Sequence, residues 1–322
     1  MNKLDLKDRR LLFELDINAR QPVSVLARKL RLSRDIINYR IQRLEKNNII
    51  RGYRTIIDTS KLGYTFYRIL IRVFNSSPKD EQNLIDFLKR EPNVWWIASL
   101  DGLYDFNFAI WAKDEKEMLD FQRRIFYHFK NIIKNILICP IIKYTQLSRN
   151  YLVHGILKQP IERQMIILEK SAIVEYDKID TDILKIISED ARISLVRISQ
   201  KVNLDPVGVK YRIKRLEKKG IIKGYKVDLD FGKLKRDFYS VKINLNSLDE
   251  LKKIMEYIRI IPEANGIIEA LGSYDIEFDL EVEGSKRYYE IINDIKSRFN
   301  SIRSIYYFRV KKNFKVLYMP EM

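Results

Sequence analysis

Tyr39-Arg40-Ile41-Gln42-Arg43-Leu44-Glu45-Lys46, followed by Ile49-Ile50 and Gly52-Tyr53, returns as Tyr211-Arg212-Ile213-Lys214-Arg215-Leu216-Glu217-Lys218, Ile221-Ile222 and Gly224-Tyr225. The match runs without a gap from residues 5–58 to 177–230, with 19 identities in 54 positions at a constant offset of 172. A repeat this long is a duplicated domain unit rather than a solenoid, whose repeats run about 20 to 50 residues. Any function is therefore built from two similar modules.

Each copy carries helix punctuation. Asp5 and Asp177 are acidic caps, with Asp8 and Asp180 three residues on. Leu11, Leu12 and Leu15, or Ile183, Leu184 and Ile187, then form an apolar stripe at helical spacing. A second short helix starts near Pro22 or Ser194. A tight turn, Arg31-Leu32-Ser33 or Asn203-Leu204-Asp205, leads to a third helix over residues 34–46 or 206–218. Ser33 and Asp205 cap it, and Pro206 suits its first position. Asn48 and Gly220 end it, because both residue types tolerate the left-handed conformation. An extended run follows at 49–58 or 221–230. Three helices with a tight second turn, then a strand, predict a winged helix-turn-helix.

The remainder of each unit changes period. Tyr67, Ile69, Ile71 and Val73 alternate with Phe66, Arg68, Leu70 and Arg72, which predicts a strand. The pattern predicts a helix over 79–90, strands over 93–100 and 104–112, a helix over 114–129 and a strand over 135–145. The second copy repeats the series over 238–318. This is the ferredoxin-like βαββαβ order, whose open sheet face needs cover, and two copies in one chain supply it. The fold class is thus α+β, two winged helix-turn-helix domains alternating with two ferredoxin-like domains. The expected boundaries are 1–62, 63–148, a linker at 149–174, 175–235 and 236–322. Within the linker, residues 161–170 read as helical.

Charge is concentrated in the repeats. Of the net +17, +13 lies in residues 1–63 and 175–235. Two small basic modules point to a polyanion. The single cysteine, Cys139, excludes an intrachain disulfide and a cysteine-cluster metal site, and fits a reducing, cytoplasmic setting. No signal-peptide pattern opens the chain and no membrane span is expected, since the most apolar run is broken by Lys134, Asn135 and Pro140.

Asp5, Asp8, Asn18-Ala19-Arg20, Leu32-Ser33, Arg40-Ile41, Arg43-Leu44-Glu45 and Gly52-Tyr53 resemble the Lrp/AsnC family of prokaryotic transcription regulators. So do their counterparts, and so do the turns Gly102-Leu103-Tyr104-Asp105 and Gly272-Ser273-Tyr274-Asp275. The resemblance covers nearly all of the chain outside 149–174. It implies a sequence-specific regulator of double-stranded DNA, paired through its ferredoxin-like (RAM) domains and modulated by a metabolite such as an amino acid. Members are usually one unit long, so this tandem chain is expected to form an intramolecular pseudo-dimer that further homo-oligomerises. Two alternatives stand beside it. One is a ligand-sensing or scaffolding protein with only non-specific DNA binding. The other is a siroheme-decarboxylase-like enzyme on the same fold, for which no histidine sits in a matching motif.

The third helix is the element expected in the major groove. In the first copy it offers Ser33, Arg34, Asn38, Gln42 and Arg43. Asn or Gln pairs bidentately with adenine, and Arg with guanine. In the second copy Lys210, Lys214 and Arg215 stand there, and lysines anchor phosphate more than they read bases. Arg40 and Arg212 either contact phosphate or brace the fold through Glu45 and Glu217. The later turns also carry two readings: a hairpin turn with glycine at positive φ and a stabilising aspartate, or, as the family implies, an effector site. The effector site would comprise Gly102, Tyr104, Asp105, Gly272, Tyr274 and Asp275. No cofactor, metal ligand set or catalytic constellation is expected. Trp95, Trp96 and Trp111 read as core or interface.

Overall fold

The computed structural model describes residues 4–156, 163–272, 274–316 and 319–320. Its first unit runs α1 (Leu6–Ile17), α2 (Val23–Leu30), α3 (Arg34–Lys46) and β1 (Ile50–Ile57). Then come β2 (Thr65–Val73), α4 (Pro78–Arg90), β3 (Val94–Gly102), β4 (Phe106–Ala112), α5 (Glu115–Phe129) and β5 (Ile133–Leu147). After β6 (Met165–Glu169), the second unit repeats the order as α6 (Lys178–Glu189), α7 (Leu195–Val202), α8 (Pro206–Lys218) and β7 (Ile222–Leu229). It continues as β8 (Asp237–Leu245), α9 (Leu251–Ile260), β9 (Ala264–Ala270), β10 (Ile276–Val282), α10 (Gly284–Arg298) and β11 (Ile302–Val316).

The helix ends form where the caps predict them. Asp5 and Asp177 each accept the amide three residues on, and Asp8 and Asp180 return the bond in full capping boxes. Ser33 accepts from Ile36 N, and Asp205 from Gly208 N. Asn48 and Gly220 take φ of 54° and 69°, the left-handed stops. Leu11, Leu12, Leu15, Ile183, Leu184 and Ile187 are all fully buried. Each such aliphatic side chain contributes about 1.5–3 kcal/mol by leaving water.

The two helical heads are one body. Strands β1 and β7 pair antiparallel as a two-stranded sheet, with Tyr53 opposite Val227 and Thr55 opposite Tyr225. Ala191 N donates to Tyr53 O, and reciprocally Ala19 N to Tyr225 O, both at 2.9 Å. Arg20 reaches Ala191 O while Arg192 reaches Ala19 O. Side chains of both heads share a single apolar core.

The other strands close into a ring. Neighbours run β2-β4-β3-β11-β8-β10-β9-β5, and β5 returns to β2. The long strands β5 and β11 make the closure. Residues 133–140 of β5 pair with β2, and its later part pairs with β9 of the other copy. Likewise β11 pairs first with β8 and then with β3. The outer faces are covered by α4 and α5 in one half and by α9 and α10 in the other.

The inner faces differ in kind. In one, β4 turns Asn107, Ala109 and Trp111 inward; in the other, the equivalent positions of β10 hold Glu277, Asp279 and Glu281, all buried. Lys242 of β8 stands beside Glu277 in the same sheet, and Arg68 of β2 enters from the other half. Both contact Glu277. Burying such charges is costly unless they are paired.

The segment between the units departs from expectation. Residues 165–169 form strand β6, paired antiparallel with β5, instead of a helix. Residues 161–162, at the start of that expected helix, lie outside the described residues. The segment is also more than a tether. Arg149 is buried and bonds Asp16 of α1 at 2.6 Å and Glu281 of β10 at 3.0 Å. Lys226 of β7 reaches Asp16 at 3.2 Å, and the Tyr151 hydroxyl donates to Glu281 at 2.5 Å. One polar cluster thus joins both heads to the second sheet. No helix among the described residues is long and apolar enough to cross a membrane.

Candidate nucleic-acid interface

The third helix of each head keeps one face in the core and turns the other to solvent. On α3 Ile37, Ile41 and Leu44 are buried, whereas Ser33, Arg34, Asn38 and Gln42 are exposed. On α8 Val209, Ile213 and Leu216 are buried, and Lys210 and Lys214 are exposed. These six exposed residues stand where the helical period places them.

The arginines between these faces are engaged elsewhere. Arg40 Nη1 donates to Asp5 Oδ2 at 2.7 Å and Asp8 Oδ1 at 2.6 Å, and Arg43 Nη2 donates to Asp8 at 2.5 Å. Arg212 repeats the contact with Asp177 at 2.7 Å and Asp180 at 2.9 Å, and Arg215 binds Asp180. Asp8 and Asp180 are buried. Charge-assisted hydrogen bonds of this sort are stronger than neutral ones, and each arginine makes them through one terminal nitrogen. Arg40, Arg43, Arg212 and Arg215 are therefore braces that hold the third helix on the first. The braces run to the capping aspartates and not to Glu45 or Glu217. Those two glutamates accept instead from the Tyr53 and Tyr225 hydroxyls, both at 2.6 Å. Burial first, then these carboxylates, push both tyrosine hydroxyls far above their ordinary pKa.

The structure adds groove-side residues that helix reading overlooked. Tyr39 and Tyr211 occupy equivalent places and are 63% and 67% exposed, with Ile36 and Val207 beside them. Exposed aliphatic and aromatic groups on a helix of this kind suit thymine methyl contact. Their signal was in the sequence: each tyrosine lies midway between two buried stripe residues, two positions from either, and so on the opposite face. Asp35 stands exposed in the first turn of α3, and the same place on α8 is Val207. On α8 the acid sits instead at the cap, where exposed Asp205 replaces Ser33, so each third helix carries one carboxylate at its N-terminus.

At the two later turns both aspartates have backbone partners. Asp105 Oδ2 accepts Val73 N at 2.8 Å, and Asp275 Oδ2 accepts Leu245 N at 2.7 Å, so each aspartate ties a strand to the turn. Gly102 has φ of 149°, and a Cβ there would stand 2.9 Å from the Tyr307 carbonyl oxygen. Gly272 has φ of 159° against the Cys139 sulfur, and Ser273 beside it lies outside the described residues. Tyr104 packs edge-on to Phe308 at 5.7 Å, and the Tyr274 ring stands 5.7 Å from Lys242 Nζ.

Inside the strand ring is a cavity of about 280 Å³. Its walls combine residues 55–60 below the first head, inner-face residues of both sheets, and residues 168–170. Trp95, Trp96 and Trp111, the three tryptophans of the chain, all line it. Trp95 stacks on Trp111 at 5.4 Å with Phe66 against its edge. Burial raises the Asp279 carboxyl above its ordinary pKa, and burial with Arg68 nearby drives the Lys242 amine well below its own. Among the described residues no cluster of His, Cys, Asp and Glu can hold a metal ion.

The comparisons agree with this geometry. Residues 4–45 match the AsnC-type helix-turn-helix domain, and residues 176–223 match a winged helix-turn-helix DNA-binding model. An uncharacterised HTH-type transcriptional regulator of Pyrococcus abyssi is 33% identical over 117 residues, 36% of this chain and 77% of the relative. The proline dehydrogenase transcriptional activator of Rhodobacter capsulatus is 30% identical, over 35% of this chain and 75% of its own length. Among solved structures, the siroheme decarboxylase NirDL shares the fold across 97% of this chain and 93% of its own, with a TM-score of 0.65 and 13% identity.

Proposed function

Because the chain belongs to the Lrp/AsnC family of helix-turn-helix transcription regulators, we propose that it is a sequence-specific DNA-binding regulator whose two heads act as one intramolecular pair. The observation that carries this reading is the exposed face of α3. Arg34, Asn38 and Gln42 are free of the acidic braces, while Arg40 and Arg43 are held to Asp8. The helix is thereby fixed in place and its outer face left to meet base edges. On α8, Lys210 and Lys214 present point charges suited to phosphate. One head reads and the other anchors.

The chain is read as two winged helix-turn-helix domains alternating with two ferredoxin-like domains, divided near residues 62, 148, 174 and 235. Modulation by a metabolite such as an amino acid belongs to the same reading. Since Asp105 and Asp275 already accept strand amides, Tyr104 and Tyr274 are the groups left at those turns to meet an effector.

Selection of genomic fragments by the purified protein at ~150 mM salt, with excess competitor DNA, tests the function, because phosphate attraction weakens steeply with salt. Recovery of a few fragments sharing a two-part site supports it. Uniform loss across all sequences would leave only non-specific attraction.

The full-length likeness to NirDL gives an enzymatic reading one observation in its favour. Two features weigh against it. Neither His128 nor His154 lines the cavity, and about 280 Å³ is below the roughly 300–1,000 Å³ of drug-sized ligand sites. That volume is small for a tetrapyrrole. A purified protein that takes up iron-uroporphyrin with a Soret shift would revive it.

A further inference from the structure

The cavity inside the strand ring contains polar groups that the fold leaves unused. Among the described residues, Arg68 Nε, Asn107 Oδ1 and Asp279 Oδ1 are buried without a hydrogen-bond partner. All three side chains line this one cavity, and they are 8%, 1% and 5% exposed. Trp95 Nε1, also on its wall, is a further donor without a partner. Folded proteins pair the great majority of such atoms, because each one left unpaired costs desolvation without return. Four in one place, two donors and two acceptors, mark a surface shaped for something else.

The charges beside them set the ligand's charge. Arg68 and Lys242 face Glu277 and Asp279, and both cations contact Glu277. Two cations and two acids balance there, and elsewhere on the wall Asp58 is met by Lys223 at 3.8 Å and Glu169 stands beside Lys170, so the lining carries no net charge. An added ion would lie buried and uncompensated. The remaining wall is aromatic, with Phe66, Phe231 and Phe238 beside the three tryptophans. The volume suits one or two fused rings.

We infer that this cavity is a binding site for a neutral, planar aromatic heterocycle carrying hydrogen-bond donors and acceptors on one edge, of the purine-base type. The edge replaces the missing partners of Arg68, Asn107 and Asp279, and the ring lies among the aromatic side chains. The site is separate from the Gly102 and Gly272 turns. Its floor includes residues 55–60, which join the first head to its sheet, so an occupant touches both.

The test uses the full chain and its own tryptophans, all three of which stand at the cavity. Tryptophan emission is followed during titration with adenine, with hypoxanthine and with L-leucine, and indole, which has no acceptor on its edge but emits in the same band, is compared with the purine bases by titration calorimetry. The expected result is a saturable change with one or both purine bases, at least tenfold tighter than with indole, and none with L-leucine. Asn107→Leu keeps the branched shape of the side chain, at a somewhat larger volume, and removes an acceptor. It is expected to weaken purine binding at least tenfold while melting no lower than the parent. Ala109→Ile builds the wall into the cavity and is expected to weaken purine binding at least tenfold, which keeps the test available if the first variant does not fold. Three results would overturn the inference: no saturable change with either base, equal binding of indole, or full purine binding by both folded variants. A response to L-leucine alone would reassign the cavity to an amino acid and also overturn it.

Discussion

Arg149 donates to Asp16 at 2.6 Å although 133 residues separate them, and both side chains are buried. The bond joins the first helix of the chain to the segment between the units, and Glu281 at 3.0 Å extends it into the second sheet.

Replacing Arg149 with Met leaves Asp16 and Glu281 buried with fewer partners. The expected loss is about 3–5 kcal/mol, the usual cost of breaking a buried pair on one side. A denaturant melt compares the variant with the parent. A loss below about 1 kcal/mol would show that Lys226 and Tyr151 suffice.

The same cluster predicts how stability depends on acid. Burial alone would raise the Asp16 carboxyl, but Lys226 and Arg149 outweigh it and hold the group below its ordinary 3.8. A carboxyl depressed in the folded state contributes stability that is complete above its unfolded value and lost as pH falls through the folded one. The deficit of Arg149→Met against the parent should therefore be constant near neutrality and shrink below about pH 4. Melts from neutral to acid pH measure it, and a deficit that grows in acid would contradict the assignment.

The two third helices should fail differently. Asn38→Ala or Gln42→Ala is expected to cost about 1–3 kcal/mol at one base position and relax preference there. Lys210→Ala or Lys214→Ala should weaken binding evenly across sequences and lower the salt slope by about one. Competition binding with single-base operator variants at several salt concentrations separates the two. Footprints should show a bipartite but non-palindromic operator, with half-sites about one helical turn (~34 Å) apart or a multiple of it.

Asp8→Ala removes the acidic partner of Arg43 and one of the two that hold Arg40, which keeps Asp5. The expected stability loss is about 1.5–3 kcal/mol, the range for hydrogen bonds to charged groups. DNA affinity should fall further than stability alone explains, because α3 loses its fixed tilt. Unchanged operator affinity in the folded variant would show that the braces do not position the reading helix.

Gly102→Ala places a methyl group 2.9 Å from the Tyr307 carbonyl at a φ of 149°. Strain of about 1–3 kcal/mol is expected. The melt should show it whether or not an effector binds, and loss of effector response without loss of stability would favour a binding role for that turn.

The helical heads were legible because their determinants are local. Caps at Asp5, Ser33 and Asp205, and stops at Asn48 and Gly220, act within a few residues of themselves. The braces were only half legible. Arg40 and Arg43 stand at fixed offsets from Asp5 and Asp8, and the second copy repeats those offsets, yet Glu45 lies nearer in sequence, although five residues on from Arg40 it misses the three-or-four spacing of helical pairs. Residues 165–169 form too short an apolar run to tell strand from helix by period, and pairing with β5 decided it. The ring of strands was beyond local reading, since β5 and β11 each pair partly with the other copy. The polar cavity was hidden for the same reason. Glu277, Asp279 and Glu281 alternate as residues on a water-facing side would, and only the opposing sheet makes them interior.

Those three acids also bear on which halves pair. In a symmetric pair of second halves, six carboxylates would face one another across the ring; in a pair of first halves, two copies of Asn107, Ala109 and Trp111 would. Neither arrangement supplies the matched cations and acids found here. Joined in one chain, neither half has to complement itself, and their interiors are unlike. Separated by a cut between the units, the halves are expected to seek each other and not their own kind.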